Sequence, residues 1–198
     1  MRAFRVGARI LHSRPLESAD AEVMVTWVND PDVTRTLYQH RPTSIQSERE
    51  FIDRVSRSDH DVVLGIMTRA DDRFIGVTGL HAIDFKNRKA VFGISIGEKG
   101  EWDRGCGSEA TALMVEYAFD TLNLNRVTLQ VYGHNRRGIK VYERAGFQRE
   151  GVLRQDNFVE GQYHDTLTMG ILREEWTKPG DGRPTSSPKR RRRSKSGV

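Results

Sequence analysis

AVFGISIGEKGEWDRGCGSEATALMVEYAF, residues 90–119, is the stretch that decides the fold. Its first part, Val91–Ile96, is rich in β-branched and aromatic residues and predicts a strand. A short polar loop and the sequence Gly105-Cys106-Gly107 come next. From Ala110 to Ala118 apolar residues recur at intervals of three and four, which predicts a helix with one apolar face. The predicted order is therefore strand, glycine loop, helix.

The glycine loop has two interpretations. The first turn of a helix leaves backbone N–H groups without partners, and the helix dipole favours negative charge there. Glycines at positions 105 and 107 let a phosphate or pyrophosphate approach this backbone closely. The alternative is that they only form a tight turn. Neither of two common phosphate-binding patterns, GxxxxGK[ST] and GxGxxG, is present here, so both interpretations stay open.

Further strands and helices are predicted on both sides of this stretch. Alternating or apolar runs predict strands at 8–13, 62–68, 74–83, 126–132, 147–154 and 163–172. Capping residues predict helices that start at Ser18 or Asp20, at Ser44 or Ser47, and at Asn135. The order is βααβββαβαββ, which indicates an α+β domain with one mixed, mostly antiparallel sheet of about six to seven strands and about four helices.

Composition sets the class of protein. A chain of 198 residues is long enough for one domain with a proper core. We expect a cytoplasmic protein, because arginines interrupt the first ten residues and no apolar run approaches the roughly 20 residues of a membrane helix. Cys106 is the single cysteine, which excludes an internal disulfide and a cysteine metal site. We predict no metal.

The net charge of +5 is a property of the C-terminal tail. Eight of the 32 basic residues but only one of the 27 acidic residues lie beyond residue 177, which leaves 24 basic and 26 acidic residues in 1–177. We predict a folded domain at 1–177 and a basic, disordered tail at 178–198. The run Arg190–Arg193 allows weak, non-specific contact with nucleic acid, so a nucleic-acid-associated binding protein is an alternative of another class.

Three segments resemble the GNAT superfamily of N-acetyltransferases. Residues 96–110 (IGEKGEWDRGCGSEA) are similar to the acetyl-CoA loop and helix of that family, and residues 125–147 (NRVTLQVYGHNRRGIKVYERAGF) resemble its second conserved block. Residues 150–172 are similar to the branch of ribosomal-protein N-terminal and spermidine acetyltransferases. The resemblance covers about residues 9–176 and implies the three-layer αβα GNAT fold.

The resemblance implies transfer of an acetyl group from acetyl-CoA to a primary amine by direct attack in a ternary complex. The acceptor is expected to be a protein N-terminus or a small-molecule amine, and a polyamine such as spermidine is the alternative. An alkyl ammonium has a pKa of about 10, so a base or a desolvating site must remove its proton before it attacks. A homodimer stays open as the assembly, and no membrane partner is expected.

The resemblance also assigns residues to the cofactor. The pantetheine arm is expected along the main chain of Ile94 and Ile96. The pyrophosphate is expected on the N–H groups of Arg104, Gly105, Cys106, Gly107 and Ser108. Asn135 and Lys140 are expected to contact the cofactor, and the alternatives are a simple helix cap and a solvated charge. In this branch a glycine often stands where the present chain has Asp103.

Tyr142 matches the family tyrosine that protonates the leaving thiolate, and its alternative is an ordinary core tyrosine. Glu98 is the first choice as the base, ahead of Asp84, His81, His164 and Asp165, and a water chain is the alternative to all of them.

The acceptor pocket is expected near Trp27, Asn29 and Asp30. A polyamine would need several carboxylates there. Five are available in the N-terminal region, namely Glu17, Asp20, Glu22, Asp30 and Asp32. Their alternative role is that of ordinary acidic residues at helix N-termini.

Overall fold

The structure, a computed structural model, describes residues 10–177, and it describes side chains from Arg14 onward. A seven-stranded sheet forms its centre, in the order β1-β2-β3-β4-β5-β7-β6. The strands are β1 (Ile10–Pro15), β2 (Val62–Thr68), β3 (Phe74–Asp84), β4 (Lys89–Ile96), β5 (Arg126–Tyr132), β6 (Gln148–Val159) and β7 (Gln162–Leu172). The helices are α1 (Ala21–Val28), α2 (Pro31–Thr34), α3 (Ile45–Ser56), α4 (Cys106–Glu116) and α5 (Arg136–Arg144). The predicted α+β class is confirmed, and the predicted tail at 178–198 lies outside the described residues.

The predicted order of elements is confirmed with one addition, the four-residue helix α2. Asp30 begins α2 because its carboxylate accepts a hydrogen bond from the Asp32 N–H at 2.9 Å. The predicted end of β1 at residue 13 is two residues short, since Arg14 pairs with Gly65 and Pro15 pairs with Leu64. A proline is tolerated there because β1 is an edge strand, where an N–H facing solvent is not needed for pairing.

Two layers of helix cover the two faces of the sheet. On one face α4 and α5 pack against a large core that includes Phe92, Val127 and Leu129. On the other face α1 and α3 enclose a smaller core that includes Met24 and Ile52. The alternation of β4 sends Phe92 to the first face, so Gly93 lies toward the second. This arrangement is the three-layer αβα architecture that the resemblance implies.

Strands β4 and β5 separate after a short paired segment. They run parallel and pair at only three positions, Lys89 with Arg126, Ala90 with Val127 and Val91 with Thr128. Beyond that point β4 remains paired with β3 as far as Ile96, and β5 remains paired with β7 as far as Tyr132. The sheet therefore opens in its middle, and the opening is where the candidate site lies.

Candidate active site

A cavity of about 950 Å³ fills the opening between β4 and β5, and we name it the splay cavity. Residues 92–96 of β4 and residues 128–132 of β5 form its two walls. The start of α4, with Gly105, Gly107 and Ser108, closes one end, and α5 lies along it. The strand–glycine loop–helix stretch and the following strand and helix thus meet around one cavity.

The backbone of β4 presents unpaired polar groups to the splay cavity. In a strand, successive residues direct their N–H and C=O groups to alternate sides. The Arg88 C=O accepts a hydrogen bond from the Arg126 N–H at 3.1 Å, on the β5 side. The Gly93 C=O accepts one from the Thr78 hydroxyl at 3.1 Å, on the β3 side. Ile94 and Ile96 share the parity of Arg88, so their backbone groups point into the opening, where the Ile96 C=O is already paired with the Trp102 indole N–H.

The first turn of α4 is built for an anion. Gly105 adopts φ of 88°, a left-handed conformation that favours glycine, and it starts the helix without a side-chain cap. The N–H groups of the first turn consequently have no side-chain acceptor and stay available to a ligand. Four basic residues of α5 line the same cavity, namely Arg136, Arg137, Lys140 and Arg144. The N-terminus of α4 and these basic side chains together favour the binding of a polyphosphate.

Glu101 anchors the loop that precedes α4. It is 7% exposed, and its carboxylate accepts a hydrogen bond from Arg73 at 2.7 Å and one from Arg104 at 3.3 Å. The Cys106 side chain is buried beside Ile75, away from the cavity. Arg104 and Cys106 are not among the residues that line the splay cavity. Their side chains therefore stabilise the loop, and their backbone N–H groups are the part suited to contact a ligand in the splay cavity.

Asp103 and Trp102 shape the rim of the splay cavity. Asp103 has φ of 59°, the left-handed conformation, which explains physically why a glycine is common at this place in the related branch. The Trp102 indole N–H donates to the Ile96 C=O at 2.8 Å and fixes the loop to the end of β4. The Arg137 guanidinium lies 4.2 Å from the centre of the Trp102 ring and 3.5 Å from the Asp103 carboxylate.

Tyr142 lies on α5 between the core and the splay cavity. It is 9% exposed and lines the cavity, and its ring contacts Phe92 and Phe147 edge-on at 6.1 Å. Burial raises the pKa of its hydroxyl to about 12. In the part of the chain that the structure describes, no hydrogen bond to this hydroxyl is found. Tyr142 is thus a core residue that also lines the splay cavity, and its role as the acid stays a prediction.

Asn135 begins α5, and its carboxamide oxygen accepts a hydrogen bond from the Gly138 N–H at 2.9 Å. A side chain at Gly138 would come within 2.7 Å of the Asn135 amide nitrogen, so the glycine makes room for this cap. Asn135 and Lys140 also line the splay cavity. A helix cap is therefore present, and it leaves Asn135 at the cavity wall.

A second cavity, of about 350 Å³, lies on the other face of β4, and we name it the α3 cavity. It shares Leu37, Gly93, Ile94 and Ser95 with the splay cavity, so the two cavities meet across one strand. His81 of β3 lines it, and the His81 Nδ1 lies 3.1 Å from the Asp61 carboxylate. Trp27 lines it as well, and its indole covers the backbone of Gly97.

Other residues predicted for the site lie outside both cavities. Asn29 exchanges hydrogen bonds with the backbone of Thr43, which ties the loop after α2 to the end of α1. Asp30 pairs with Lys99 at 2.7 Å. The Glu98 carboxylate accepts a hydrogen bond from the Gly100 N–H at 3.2 Å, and Glu98 is not among the residues lining either cavity. The structure thus gives these three side chains local structural partners.

Residues 11–148 match the family model described as an acetyltransferase (GNAT) domain. This chain belongs to the GNAT acetyltransferase family. It is 32% identical over 168 residues to the putative ribosomal N-acetyltransferase YdaF of Bacillus subtilis, covering 82% of this chain and 91% of that protein. It is 27% identical over 164 residues to the spermidine N(1)-acetyltransferase of Escherichia coli, covering 82% and 86%. Both relatives belong to the branch that the sequence resembles.

The fold of this GNAT protein also matches a solved acetyltransferase. The structure of spermidine N-acetyltransferase from Vibrio cholerae, in complex with CoA and spermine, superposes with a TM-score of 0.78. The match is 24% identical in sequence and covers 85% of this chain and 98% of that one, so it shows the shared fold. The GNAT protein is an N-acetyltransferase that uses acetyl-CoA as its acyl donor.

Between residues 10 and 177, no group of three or more His, Cys, Asp or Glu side chains is placed to hold a metal ion. None of the helices described in that range has the length and apolar character of a membrane-spanning segment.

One titratable residue that lines the α3 cavity was missed in the sequence. Glu48 of α3 lines the α3 cavity and is 8% exposed. It lies three and four positions before Phe51 and Ile52, which are apolar residues of the same helix. A charged residue in register with an apolar stripe was the available signal, because it predicts a carboxylate that faces the core side.

Proposed function

We propose that acetyl-CoA binds in the splay cavity and that a primary amine binds in the α3 cavity, with direct attack across β4. The observation that carries this proposal is the pair of cavities that meet at Gly93–Ser95. One has unpaired backbone and an anion-binding helix start, and the other contains a carboxylate and an imidazole. A donor with a diphosphate and an acceptor with a cationic nitrogen fit these two environments.

In this proposal the pantetheine arm pairs with the backbone of Ile94 and Ile96 like an added strand. The pyrophosphate lies on the N–H groups of residues 104–108, with Arg137 and Lys140 nearby on α5. An N–H group near Ile96 stabilises the oxyanion of the tetrahedral intermediate. Support comes from the opening of β4 from β5 and from the left-handed Gly105 that starts α4 without a side-chain cap.

Tyr142 is proposed as the acid. The neutral amine nitrogen forms a bond to the thioester carbon, and the carbon–sulfur bond breaks as the intermediate collapses. The CoA thiolate takes the Tyr142 proton, and the new amide nitrogen returns one of its protons to the tyrosinate, so the charges balance. Support comes from the burial of Tyr142 at the wall of the splay cavity and from a pKa of about 12, which keeps the hydroxyl protonated.

His81 replaces Glu98 as the proposed base. The Asp61 carboxylate accepts a hydrogen bond from His81 Nδ1 at 3.1 Å, which leaves Nε2 as the proton acceptor in the α3 cavity. The ammonium proton of the acceptor passes to Nε2 before attack. Trp27 stays in the acceptor site of this proposal, as a wall of the same cavity, whereas Asn29 and Asp30 support the loop beside it.

Tyr142→Phe tests the acid. Because the change removes one hydroxyl and keeps the ring, we expect kcat to fall by about 100-fold or more while the KM for acetyl-CoA changes little. The assay is CoA release at saturating amine. Tyr163→Phe, at an exposed tyrosine, is the matched control and should keep wild-type kcat. Wild-type turnover in Tyr142→Phe would remove the proposed role.

His81→Asn tests the base. We expect kcat to fall by about 100-fold for an alkylamine and by less for an α-amino group, since the α-amino pKa near 8 leaves more of the amine neutral. Steady-state kinetics with both acceptor types measure this, and His40→Asn, at an exposed histidine, is the control. An equal, small loss for both acceptors would rule out the proton transfer.

The acceptor proposed first is a protein N-terminus or a small amine, with a polyamine as the second candidate. A CoA-release assay against alanine- and serine-starting peptides, free amino acids, polyamines and aminoglycosides identifies it. The cytoplasmic location, the homodimer and the weak nucleic-acid contact of the tail stay predictions.

A further inference from the structure

The α3 cavity is mostly apolar, and it contains one carboxylate. Its wall is formed by residues of α1, α3 and the strands β2 to β4, together with the loop after α2. The apolar members are Met24, Trp27, Val28, Leu37, Phe51, Val63, Val77 and Ile94. Glu48 and His81 are the two titratable residues of the wall. An amine that enters this cavity therefore meets a single negative charge within an apolar and aromatic surface.

Glu48 has no partner for its carboxylate within residues 10–177. The residue is 8% exposed, and no described hydrogen bond or ion pair involves its side chain. Its neighbour in sequence, Arg49, is directed to Glu22 at 3.8 Å. His81 already has a carboxylate partner, because its Nδ1 lies 3.1 Å from the Asp61 carboxylate. Burial raises the pKa of Glu48 above its ordinary value.

The Glu48 carboxylate has no described partner, and a ligand that supplies a positive charge and N–H donors would satisfy it. We infer that Glu48 binds the ammonium group of the acceptor and thereby selects amines with one positive charge and an apolar flank. This inference rests on the acetyl-transfer function proposed above. The α3 cavity would then accept arylalkyl or alkyl monoamines and protein N-termini whose first side chain is uncharged. Spermidine-type acceptors rank second.

The other carboxylates that a polyamine would need are already engaged. Asp20 accepts two hydrogen bonds from Arg14, at 2.7 and 2.8 Å. Asp30 and Asp32 pair with Lys99, at 2.7 and 3.0 Å. None of these acids lines the α3 cavity. Each further ammonium of a polyamine would consequently enter an apolar wall without a partner, which discriminates against it.

The size of the cavity agrees with a small acceptor. Its volume of about 350 Å³ is near the lower end of the roughly 300–1,000 Å³ found for ligand pockets. Phe51 and Trp27 offer ring surfaces against which an aromatic or aliphatic flank can pack. The acceptor proposed for the α3 cavity is therefore small and carries one positive charge beside an apolar or aromatic flank.

Glu48→Gln tests the inference with phenethylamine and spermidine as probes. The change keeps the shape of the side chain and removes its charge. We expect the KM for phenethylamine to rise at least tenfold and its heat of binding to disappear in calorimetry, while the KM for acetyl-CoA stays within twofold. Glu50→Gln is the matched control, because Glu50 is an exposed residue of the same helix that contacts only Gln46 in the described chain.

Each outcome of these measurements either supports or contradicts the proposed role of Glu48. Wild-type kcat/KM for phenethylamine in Glu48→Gln, or a wild-type preference for spermidine over phenethylamine, would overturn the inference and leave the acetyl-transfer proposal intact. If the folded wild type released no CoA with any amine, the proposed function would fail and this inference with it. Retention of the melting temperature in Glu48→Gln shows that a rise in KM reflects lost recognition rather than lost folding.

Discussion

At the scale of single residues, burial moves two pKa values of the site in the same direction. It raises the pKa of Tyr142 to about 12 and the pKa of Glu48 above its ordinary value of 4.5. Tyr142 therefore keeps its proton throughout the neutral range and can act as a donor. Glu48 keeps its proton to higher pH than a solvated glutamate, so the unliganded enzyme bears the cost of a buried charge once Glu48 ionises.

The raised pKa of Glu48 predicts a pH-dependent stability. A folded-state pKa above the unfolded value means that the native state binds the extra proton, so stability is fully present below pH 4.5 and is lost as pH rises through the raised pKa. We expect Glu48→Gln to match the wild type at acidic pH and to exceed its free energy of unfolding by about 1 kcal/mol or more at neutral pH. Urea unfolding across this range measures the difference.

His81 is the other titratable group that lines that cavity, and it is present in both proteins. Glu50→Gln, at an exposed position of the same helix, is the matched control. A pH-independent difference for Glu48→Gln would contradict the argument from burial.

Single residues also show where sequence interpretation succeeds. Asn135 was predicted as a cap because a cap depends on chemistry within a few residues, and the structure has this cap. Glu48 depends on how α3 packs against a distant strand. Its position on an apolar stripe indicated burial, but only the fold reveals the cavity in front of it.

At the scale of elements, the loop between β4 and α4 combines two left-handed residues with a fixed anchor. Asp103 and Gly105 have positive φ, and Glu101 ties the loop to Arg73. Asp103 is a mostly exposed acid at the rim of the splay cavity, next to the proposed pyrophosphate. The left-handed conformation of Asp103 therefore costs backbone strain, and its negative charge opposes the binding of a diphosphate.

Variants of Asp103 separate these two effects. We expect Asp103→Asn and Asp103→Gly each to lower the KM for acetyl-CoA by about two- to fivefold, since both remove a negative charge near the diphosphate. Only Asp103→Gly should also raise the free energy of unfolding, by about 1 kcal/mol, because glycine accepts positive φ without strain. Initial rates and urea unfolding measure these effects. A higher KM in both variants would show instead that the ion pair with Arg137 organises the site.

Elements also show why part of the prediction was wrong. The strands β4 and β5 were predicted from short-range pattern and agree with the structure to within two residues at each end. β1 includes Pro15 because pairing with β2 compensates for the poor strand propensity of proline at an edge. Such compensation is a tertiary effect, and local propensity does not contain it.

At the scale of the whole molecule, the order of elements was predictable because each segment carries its own periodicity. The separation of β4 from β5 is not contained in local pattern, since it depends on how many residue pairs form between two strands distant in sequence. The α3 cavity also depends on tertiary packing, because segments from residue 24 to residue 95 enclose it.

Ligand binding to the whole chain distinguishes the enzyme from the alternative of a nucleic-acid-binding protein. Acetyl-CoA at 100 times its Kd should stabilise the native state by about 2.7 kcal/mol, which raises the melting temperature by about 5–10 °C. Replacement of Arg190, Arg191, Arg192 and Arg193 by alanine should leave this shift unchanged. Thermal unfolding with acetyl-CoA and, separately, with single-stranded RNA measures it. A shift seen only with RNA, and lost in the alanine variant, would favour the alternative.

The short pairing of β4 with β5 has a consequence for inhibition and for amide exchange. Because the two halves of the sheet share only three backbone pairs, the empty protein exposes an internal sheet edge at Ile94 and Ile96. Deuterium uptake at these amides should be fast in the empty protein and slow once a strand-like ligand occupies the gap. An extended peptide mimic that fills this edge should therefore compete with acetyl-CoA even if it carries no phosphate.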